Sequence, residues 1–317
     1  MSDAYAISVE ALTKRYGDLL AVDEVSFTVR RGELFAFLGP NGAGKRTAVE
    51  IICAIRRPTS GTVRVLGMDV TRQKRDIIPR IGVLPQGGSS FDRITVRESI
   101  QFYARLFGAR NADIDGLIRL TDLTDKRNVQ FRNLSGGMKQ RLGIAIALVN
   151  DPEVVFLDEP TTGLDPHARR AVWEVLLDLK RRGKTVFLTT HYMEEAELLA
   201  DTVAIISKGR IIATGSPDEL IETSSNDLRL SLKAVSASDV ELIRTMNFQP
   251  VRDTEDSVTV RVRDTGDVHA ILSALHETGT TLPDMDVRKA NLEEVFLALT
   301  GEPLHEVAAG QMDGGKP

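Results

Sequence analysis

The sequence predicts an α/β domain with a largely parallel sheet, followed by a smaller α+β domain. Nearly continuous apolar segments, such as ELFAFLG (33–39) and EVVFLDEP (153–160), are each followed by a helical pattern. This alternation is typical of buried parallel strands covered by helices. A polar segment, TSSND (223–227), then separates a second and shorter series of strands and helices.

The first 90 residues predict strands separated by glycine turns. ISVEAL (7–12) and VSFTV (25–29) alternate apolar and polar residues, as half-buried strands do. The segment ELFAFLG leads directly into a glycine-rich loop, and the helical pattern TAVEIICAI (47–55) follows. The loop therefore stands between a buried strand and a helix, which is the context that favours phosphate binding.

The middle of the chain changes to helical spacing. TVRESIQFYARLFG (95–108) has apolar residues at helical intervals and stops at Gly108. Further helical pattern follows in DGLIRLTDL (115–123) and GMKQRLGIAIALV (137–149). We therefore expect an inserted helical subdomain at about residues 90–150.

Strands and helices alternate again after this insertion. EVVFLDEP predicts a strand, and the next helix has Asp165 as its N-cap and Pro166 at its first position. KTVFLTTH (184–191) predicts another buried strand, and TVAIISKGRIIATG (202–215) predicts a hairpin that turns at Lys208 and Gly209. We expect this domain to span residues 1–225.

The C-terminal part repeats the pattern on a smaller scale. LRLSLKAV (228–235) and SVTVRVRD (257–264) predict strands, whereas DVHAILSALHETG (267–279) and NLEEVFLALTG (291–301) predict helices. We expect Asn291 to cap the last helix, with Glu294 three residues further on. These elements predict a small α+β domain over 226–301, and we expect a disordered tail over 302–317.

Composition restricts the classes of function. A net charge of −5 provides no basic field, so we expect no nucleic-acid partner. A single cysteine, Cys53, excludes an internal disulfide and favours a reducing compartment. The longest apolar run, Leu142–Val149, is far shorter than the ~20 residues that a membrane helix needs. We expect a chain that does not cross a membrane but can dock on a protein that does.

The loop GPNGAGKRT (39–47) carries the first chemistry. Its glycines allow backbone N–H groups to turn towards phosphate oxygens, and the following helix adds its positive N-terminus. The side chain of Lys45 can reach the β- and γ-phosphates. The motif alone is only suggestive, since it also arises by chance. The predicted nucleotide-binding residues of this loop are Gly39, Asn41, Gly42, Ala43, Gly44, Lys45, Arg46 and Thr47.

An acidic pair follows the apolar strand VVFLD. Asp158 ends this strand, where its carboxylate is able to hold Mg²⁺ directly or through water. Glu159 is placed to polarise an attacking water molecule. The alternative is a pair of acidic residues at a strand end that only faces solvent.

A second anion site is predicted in LSGGMKQRL (134–142). Ser135 is a candidate N-cap, and Gly136 and Gly137 offer free N–H groups at a helix start. The alternative is an ordinary helix N-terminus. One chain has no obvious use for two phosphate sites on separate subdomains, whereas two chains arranged head to tail do, since each completes the other's nucleotide site.

The whole set of motifs resembles the ATP-binding cassette (ABC) ATPases. Within residues about 7–222 the chain carries, in the order of that family, GPNGAGK, Gln86 in VLPQ, LSGGMKQRL, VVFLDEP, TTGLDP and His191 in LTTH. The resemblance implies an enzyme that binds ATP and Mg²⁺ and hydrolyses ATP. It also implies a second cassette as a partner, in a head-to-tail dimer that we expect to be a homodimer.

The resemblance assigns a role to each matching residue outside the loop. Tyr16 in KRYGD is similar to the aromatic residue that stacks on adenine, with a strand-end packing role as its alternative. Gln86 is similar to the residue that senses Mg²⁺ and the γ-phosphate near the transporter contact, with a glutamine in a surface turn as its alternative. Ser135 and Gly137 are similar to the donors to the partner's γ-phosphate. Asp165 is similar to a residue that communicates across the dimer, and it can also cap its helix.

Two further residues are implied in hydrolysis. Glu159 is similar to the general base of the family, and His191 is similar to the γ-phosphate switch. A histidine after an apolar strand is otherwise a structural residue. The predicted catalytic residues are therefore Glu159, His191 and Gln86, and the predicted metal-binding residues are Asp158 and Gln86.

The motif variants and the end NLEEVFLALTG resemble multidrug exporters of the daunorubicin-resistance type. In that group the cassette and the membrane permease are separate chains, so the resemblance implies an ABC-2-type permease as a partner. It also implies drug or antibiotic efflux and a peripheral location at the cytoplasmic face of the cell membrane. The C-terminal domain resembles the extra domain of that group, with a generic regulatory or dimerisation appendage as the alternative.

Arg46 departs from the family pattern, which has Ser or Thr as a magnesium ligand at this position. A guanidinium has no acceptor atom and therefore cannot ligate Mg²⁺. We expect nucleotide to bind through the loop and Lys45 while turnover is reduced. The alternative is that Arg46 turns to solvent and water fills the ligand position, which leaves moderate activity.

The sequence is compatible with two rival functions. One is a nucleotide-binding regulatory cassette with impaired hydrolysis, which rests on Arg46 alone. The other is a soluble cassette protein that acts on ribosomes or DNA. The acidic net charge and the presence of one cassette without long coiled coils argue against the second rival.

Overall fold

The computed structural model describes residues 4–87, 90–224, 228–252, 257–280 and 284–301. It divides into two compact units, one that comprises the chain up to Pro217 and again from Leu299, and one from Asp218 to Ala298. The predicted boundary at 225–226 and the predicted tail 302–317 lie outside the described residues. Among the described residues, no helix is long and apolar enough to span a membrane.

The first unit contains two sheets. Its strands are β1 (Tyr5–Tyr16), β2 (Leu19–Arg30), β3 (Leu34–Leu38), β4 (Ser60–Val65), β5 (Met68–Asp69), β6 (Ile81–Leu84), β7 (Val154–Asp158), β8 (Thr185–Thr190), β9 (Thr202–Ser207) and β10 (Arg210–Gly215). Its helices are α1 (Lys45–Ile52), α2 (Lys74–Ile77), α3 (Val96–Leu106), α4 (Ile114–Leu120), α5 (Gly136–Ala147), α6 (Pro166–Arg181) and α7 (Met193–Leu199).

The main sheet has six strands in the order β10-β9-β3-β8-β7-β6. All its neighbours pair in parallel except β9 and β10, which form the predicted hairpin. Strands β3, β7 and β8 are buried along their whole length, as their continuous apolar sequences predict. The order places the carboxyl ends of β3 and β7 on either side of β8, so the residues that follow these three strands gather at one edge.

The N-terminal strands form a sheet of their own, in the antiparallel order β2-β1-β4-β5. Local patterns predicted the strands but did not show that they form a separate sheet. Residues from this sheet, from α1 and from β3 share one apolar core, which includes Ile7, Leu12, Ile51, Phe35 and Phe37. This packing fixes α1 and the loop before it.

The inserted helical subdomain is built on α3, α4 and α5 around its own apolar cluster, which includes Ile100, Ile118 and Leu142. Thr95 and Glu98 form a capping box that starts α3. The helix α3 ends at Leu106, close to the predicted stop at Gly108.

The second unit is a small α+β fold. Its elements are α8 (Pro217–Ser224), β11 (Leu228–Lys233), α9 (Ala237–Thr245), β12 (Pro250–Arg252), β13 (Ser257–Val262), α10 (Thr265–Glu277), β14 (Met285–Lys289) and α11 (Leu292–Thr300). The sheet order is β12-β13-β11-β14, and every pair is antiparallel. One face of the sheet packs with α9 and α10 around a core that includes Leu230, Val260 and Ile271. The side chain of Asn291 accepts a hydrogen bond from the backbone N–H of Glu294, as predicted.

Candidate nucleotide site

The glycine loop lies between β3 and α1, and two of its glycines are required by close neighbours. A Cβ on Gly39 would lie 2.2 Å from the carbonyl oxygen of Ile206. A Cβ on Gly44 would lie 2.3 Å from the carbonyl oxygen of Ala21, and the φ of Gly44 is +101°. Any larger residue would displace the backbone at either position. The loop is therefore held in a conformation that only glycine permits.

The side chain of Lys45 is buried within this loop. Its Nζ donates hydrogen bonds to the carbonyl oxygens of Gly39, at 2.7 Å, and Pro40, at 3.1 Å. The same atom lies 3.3 Å from Oε1 of Glu159. Burial lowers the pKa of the Lys45 ammonium from its usual value, and the nearby charge of Glu159 limits this shift. The ammonium is thus directed to the place where the loop can receive an anion.

Glu159 follows β7 in an unusual backbone conformation. Its φ is +51°, which is uncommon for a residue other than glycine. Its N–H donates to the backbone oxygen of Thr189 at 3.1 Å and to the hydroxyl of Thr189 at 3.0 Å, which holds this conformation. Such strained residues occur often at functional sites.

Three side chains surround the carboxylate of Glu159 besides Lys45. Gln86 Nε2 donates to Oε2 at 3.1 Å, and the hydroxyl of Thr162 donates to Oε2 at 3.2 Å. His191 Nδ1 lies 3.4 Å from Oε1, within ion-pair distance but without hydrogen-bond geometry. Burial raises the pKa of Glu159, but His191 and Lys45 outweigh this effect and lower the pKa to about 2. Glu159 is therefore ionised at neutral pH.

Asp158 and Glu159 are both buried and lie side by side at the end of β7. The hydroxyl of Thr189 donates to Asp158 Oδ1 at 2.6 Å. Thr189 thus contacts both acidic residues, a role that sequence reasoning missed. The signal available in the sequence was a polar residue inside the buried apolar strand VFLTT, where a hydroxyl needs a partner.

The side chain of Arg46 points away from this cluster. It is 64% exposed and forms an ion pair with Glu50, with 3.4 Å between Nε and Oε1. Glu50 also contacts Arg56 Nε at 2.7 Å. The structure therefore shows the outward orientation that the sequence analysis held as the alternative for Arg46. Among the other loop residues, Asn41 and Gly42 are exposed, Ala43 is buried and Thr47 is half-buried.

Tyr16 stands at the end of β1, with its ring partly exposed. Lys14 Nζ lies 5.1 Å from the ring centroid, and the guanidinium carbon of Arg56 lies 5.3 Å from it. Both distances are within the range of cation–π attraction. The ring is thus bordered by two positive charges, in surroundings that suit an aromatic base attached to phosphates.

Ser135, Gly136, Gly137 and Asp165 form a second group. Ser135 accepts a hydrogen bond from Met138 N at 3.3 Å and caps α5, and Asp165 accepts one from Ala168 N at 2.9 Å and caps α6. A Cβ on Gly137 would lie 2.7 Å from the Cβ of Ala168, so this glycine allows α5 and α6 to approach closely. The capping roles are confirmed, and both helix starts present backbone N–H groups.

Comparisons with known proteins agree with these motifs. The model of the ABC transporter family matches residues 22–162. The chain is 40% identical over 309 residues to the Nod factor export ATP-binding protein I of Ralstonia nicotianae, with 95% of each chain covered. The protein belongs to the ABC transporter ATP-binding family. This cassette is also 38% identical over 314 residues to the Daunorubicin resistance ATP-binding protein DrrA3 of Streptomyces coeruleorubidus, with 94% of this chain and 96% of that protein covered.

A solved structure shows the same fold. The ATP-binding cassette MJ0796, in a dimeric post-hydrolysis state bound to ADP and Pi, has a TM-score of 0.60 and 25% identity to this cassette. The match covers 66% of this chain and 98% of the other. The predicted family and cassette fold are confirmed, and so is the class of enzyme, an ATPase whose hydrolysis is coupled to transport.

Proposed function

We propose that this cassette binds and hydrolyses ATP at the Lys45–Glu159 site and thereby energises a separate ABC-2-type permease. Drug or antibiotic efflux at the cytoplasmic face of the cell membrane is the transport that we propose for the complex. The observation that carries the proposal is the gathering of Lys45, Gln86, Thr162 and His191 around the single carboxylate of Glu159. The names of the export and resistance relatives support the direction of transport.

The arrangement around Lys45 explains how ATP would enter. Its ammonium is shared by two carbonyl oxygens and the carboxylate of Glu159, all of which phosphate oxygens can replace. Charge-assisted bonds to phosphate are stronger than bonds to neutral carbonyls. When Lys45 turns to the phosphates, Glu159 loses its closest positive partner. Its carboxylate, whose pKa then rises, becomes a better acceptor for a proton from water.

The residues at the end of β7 fit a role in magnesium binding. Mg²⁺ is usually held by one or two carboxylates together with phosphate oxygens and water, and it would polarise the phosphoryl group when bound. Asp158 offers a carboxylate, and Gln86 offers an amide oxygen because its Nε2 is the atom bound to Glu159. Among the described residues, no group of three or more His, Cys, Asp or Glu side chains could hold a metal alone.

Arg46 would contribute no ligand to this ion. Its exposed guanidinium is paired with Glu50, and it has no acceptor atom in any orientation. We therefore propose that nucleotide binding is retained while the affinity for magnesium and the rate of hydrolysis are reduced. Reduced turnover is compatible with an ATPase, since the acidic and histidine residues are present and in contact.

We further propose that two cassettes pair head to tail. Ser135 and Gly137 at the start of α5 would then donate to the terminal phosphate of the nucleotide held by the second copy, and Asp165 at the start of α6 would communicate across the dimer. The close approach of Gly137 to Ala168 joins the two helix starts into one surface. The dimeric state of the cassette MJ0796 with ADP and Pi supports such a pairing.

A groove in the first unit is suited to the permease. It has a volume of about 640 Å³ and lies between the helical subdomain and the end of β6, close to Gln86. Its walls include Ile55, Ile78, Leu106 and Phe107, all of which are exposed apolar residues. We propose that a short amphipathic helix of the permease docks here, which would connect the transporter to the nucleotide site through Gln86.

The test combines co-purification with enzymology. The tagged cassette is co-expressed with a candidate ABC-2-type permease, and ATPase activity is measured for the complex and for the chain alone. We expect the permease to co-purify and Leu106→Glu to abolish its capture, whereas Lys126→Glu, an exposed change outside the groove, leaves capture intact. Capture that is equally strong for both variants would contradict this docking surface. A complex without magnesium-dependent ATPase activity would contradict the proposed function.

The regulatory alternative is not favoured. It rests on Arg46 alone, whereas Glu159 and His191 are both present, with 3.4 Å between Oε1 and Nδ1.

A further inference from the structure

The two edges of the C-terminal sheet differ in how they are protected. Strand β12 has three residues and begins with Pro250, which has no N–H to donate to another strand. Strand β14 has five residues, contains no proline and pairs with β11 in unbroken register. All five residues of β14 are exposed. In the described part of the unit, β14 is therefore an open edge, of the kind that natural sheets usually cover or interrupt.

Apolar side chains on β14 extend the core face of the sheet to this edge. Met285 is in register with Leu232, and Val287 is in register with Leu230, both of which are fully buried. Yet Met285 is 55% exposed and Val287 is 42% exposed. A further strand beside β14 would cover both side chains and add its own apolar residues to the same face.

The opposite face of β14 carries two unlike charges, Asp286 and Arg288. Arg288 is directly opposite Arg229 of β11. Arg229 is buried and paired with Glu294, so the carboxylate of Glu294 is already engaged by Arg229. Like charges directly opposite each other on a sheet are unfavourable, and a carboxylate on the outer side of Arg288 would offset this repulsion.

We propose that the open edge binds a second copy of this chain through antiparallel pairing of β14 with β14. A two-fold axis at Val287 sets this residue opposite Val287 of the second copy. The same register sets Asp286 opposite Arg288 of the second copy, and the reverse pair forms by symmetry. The two four-stranded sheets then become one continuous sheet.

Charge selects this register over its neighbours. A shift of the register must keep each side chain on its own face of the sheet. The sum of two paired residue numbers can therefore change only in steps of two. One step in one direction sets Asp286 opposite Asp286, and one step in the other sets Arg288 opposite Arg288. Only the register centred on Val287 joins unlike charges without joining like ones.

This contact differs from the head-to-tail pairing of cassettes. It uses residues of the second unit only, and it requires no nucleotide. Five-residue strands bury less area than a stable interface usually does, so we expect a weak association that a covalent trap can capture.

The first experiment traps the pair in nucleotide-free full-length protein. In the proposed register, the Cα atoms of residue 287 in the two copies lie about 4.5–5.5 Å apart, within the range that a disulfide spans. We expect Val287→Cys to give a disulfide-linked dimer under mild oxidation. The matched control is Glu241→Cys on α9, which is exposed but remote from the strand edge and should stay monomeric. The native Cys53 is buried, so the wild-type chain should form no disulfide-linked dimer and serves as the negative control.

The second experiment tests the charge pairs. Asp286→Arg and Arg288→Asp each create like pairs and should abolish the nucleotide-free dimer in sedimentation at high protein concentration. Mixing the two variants restores unlike pairs and should restore a mixed dimer. Both positions are exposed, so unchanged thermal unfolding confirms that the variants fold. Three results would each overturn the proposal. They are a monomeric wild type, cross-linking of Val287→Cys that does not exceed that of Glu241→Cys, and a mixture of the two charge variants that stays monomeric.

Discussion

The ammonium of Lys45 lies 3.3 Å from Oε1 of Glu159, so the phosphate-binding residue and the candidate base contact each other directly. Both side chains are buried, and each would be costly to bury alone. The pair therefore stabilises the site without nucleotide. It also links the two chemical roles, because an anion that takes Lys45 away changes the electrostatics of Glu159.

This pairing predicts a specific dependence of stability on pH. The pKa of Glu159 falls from 4.5 to about 2 on folding, so its contribution to stability is fully present above pH 4.5 and is lost as the pH falls towards 2. In Lys45→Met the pKa of Glu159 is higher. The pKa difference between the unfolded and the folded chain is then smaller, so we expect this variant to lose less unfolding free energy than the wild type between pH 4.5 and pH 2, in urea titrations without nucleotide.

The control for this titration is Lys126→Met, which changes an exposed lysine outside the site. It should follow the wild-type pH profile. Profiles of the same shape for Lys45→Met and the wild type would contradict the role given to this ion pair.

Tyr16 is predicted to stack on the adenine base. Replacing an aromatic platform by alanine costs about 1–3 kcal/mol per stacked base in nucleic-acid binding. We expect Tyr16→Ala to weaken ATP binding by a corresponding amount, roughly 5-fold or more, while Tyr16→Phe keeps most of the affinity because the ring remains. Titration with a fluorescent ATP analogue measures both. Equal affinities for Tyr16→Ala and the wild type would show that Tyr16 only packs at the end of its strand.

Gly137 and Gly136 offer a matched pair of substitutions at the start of α5. A Cβ at Gly137 would meet the Cβ of Ala168 at 2.7 Å, whereas a Cβ at Gly136 would meet Leu164 Cδ2 at an ordinary 3.5 Å. We expect Gly137→Ala to lower the free energy of unfolding by about 1–3 kcal/mol, because α5 and α6 must move apart. Gly136→Ala should be neutral or slightly stabilising, since alanine is a better helix former. Urea unfolding measures the stability of both variants. Equal stabilities of Gly137→Ala and Gly136→Ala would contradict the close contact between α5 and α6.

Much of this site could be predicted because its parts are local in sequence. The strand–loop–helix around Lys45, the acidic end of β7 and the caps Ser135 and Asp165 are each set by a few neighbouring residues. The convergence at one edge follows from parallel strands, which local patterns also indicate. Local chemistry was therefore sufficient for the glycine loop, the helix caps and the parallel character of the main sheet, whereas Tyr16, Gln86 and His191 were assigned through the resemblance to the family.

Other features depend on contacts that are remote in sequence. The hydroxyl of Thr189 reaches Asp158 from a neighbouring strand, 31 positions away. The separate sheet depends on β1 pairing with β4, with a register shift between Glu10 and Thr13 that no local pattern reveals. The sequence also left the orientation of Arg46 undecided. Glu50, one turn further along the helix, competes with phosphate for the guanidinium of Arg46.

Arg46 itself is testable with two substitutions. Arg46→Ser restores a hydroxyl ligand, whereas Arg46→Ala only removes the charge and the ion pair with Glu50. We expect Arg46→Ser to lower the magnesium concentration needed for half-maximal ATPase activity by about 10–100-fold, by analogy with losses at metal sites. Arg46→Ala should change it much less. If the rates of Arg46→Ser and the wild type agree across the magnesium titration, the effect assigned to Arg46 is wrong.

The most direct measurement of the central claim compares magnesium-dependent ATP hydrolysis by Glu159→Gln with that by the wild type. Both proteins are also measured with Arg46→Ser added, which should raise the signal. Gln keeps the shape and the contacts with Gln86 and Thr162 but cannot accept a proton. A general base contributes about 100-fold or more to a rate. We predict such a loss of hydrolysis with ATP binding retained. Hydrolysis by Glu159→Gln at the wild-type rate in both backgrounds would contradict the assignment of this site as the catalytic centre.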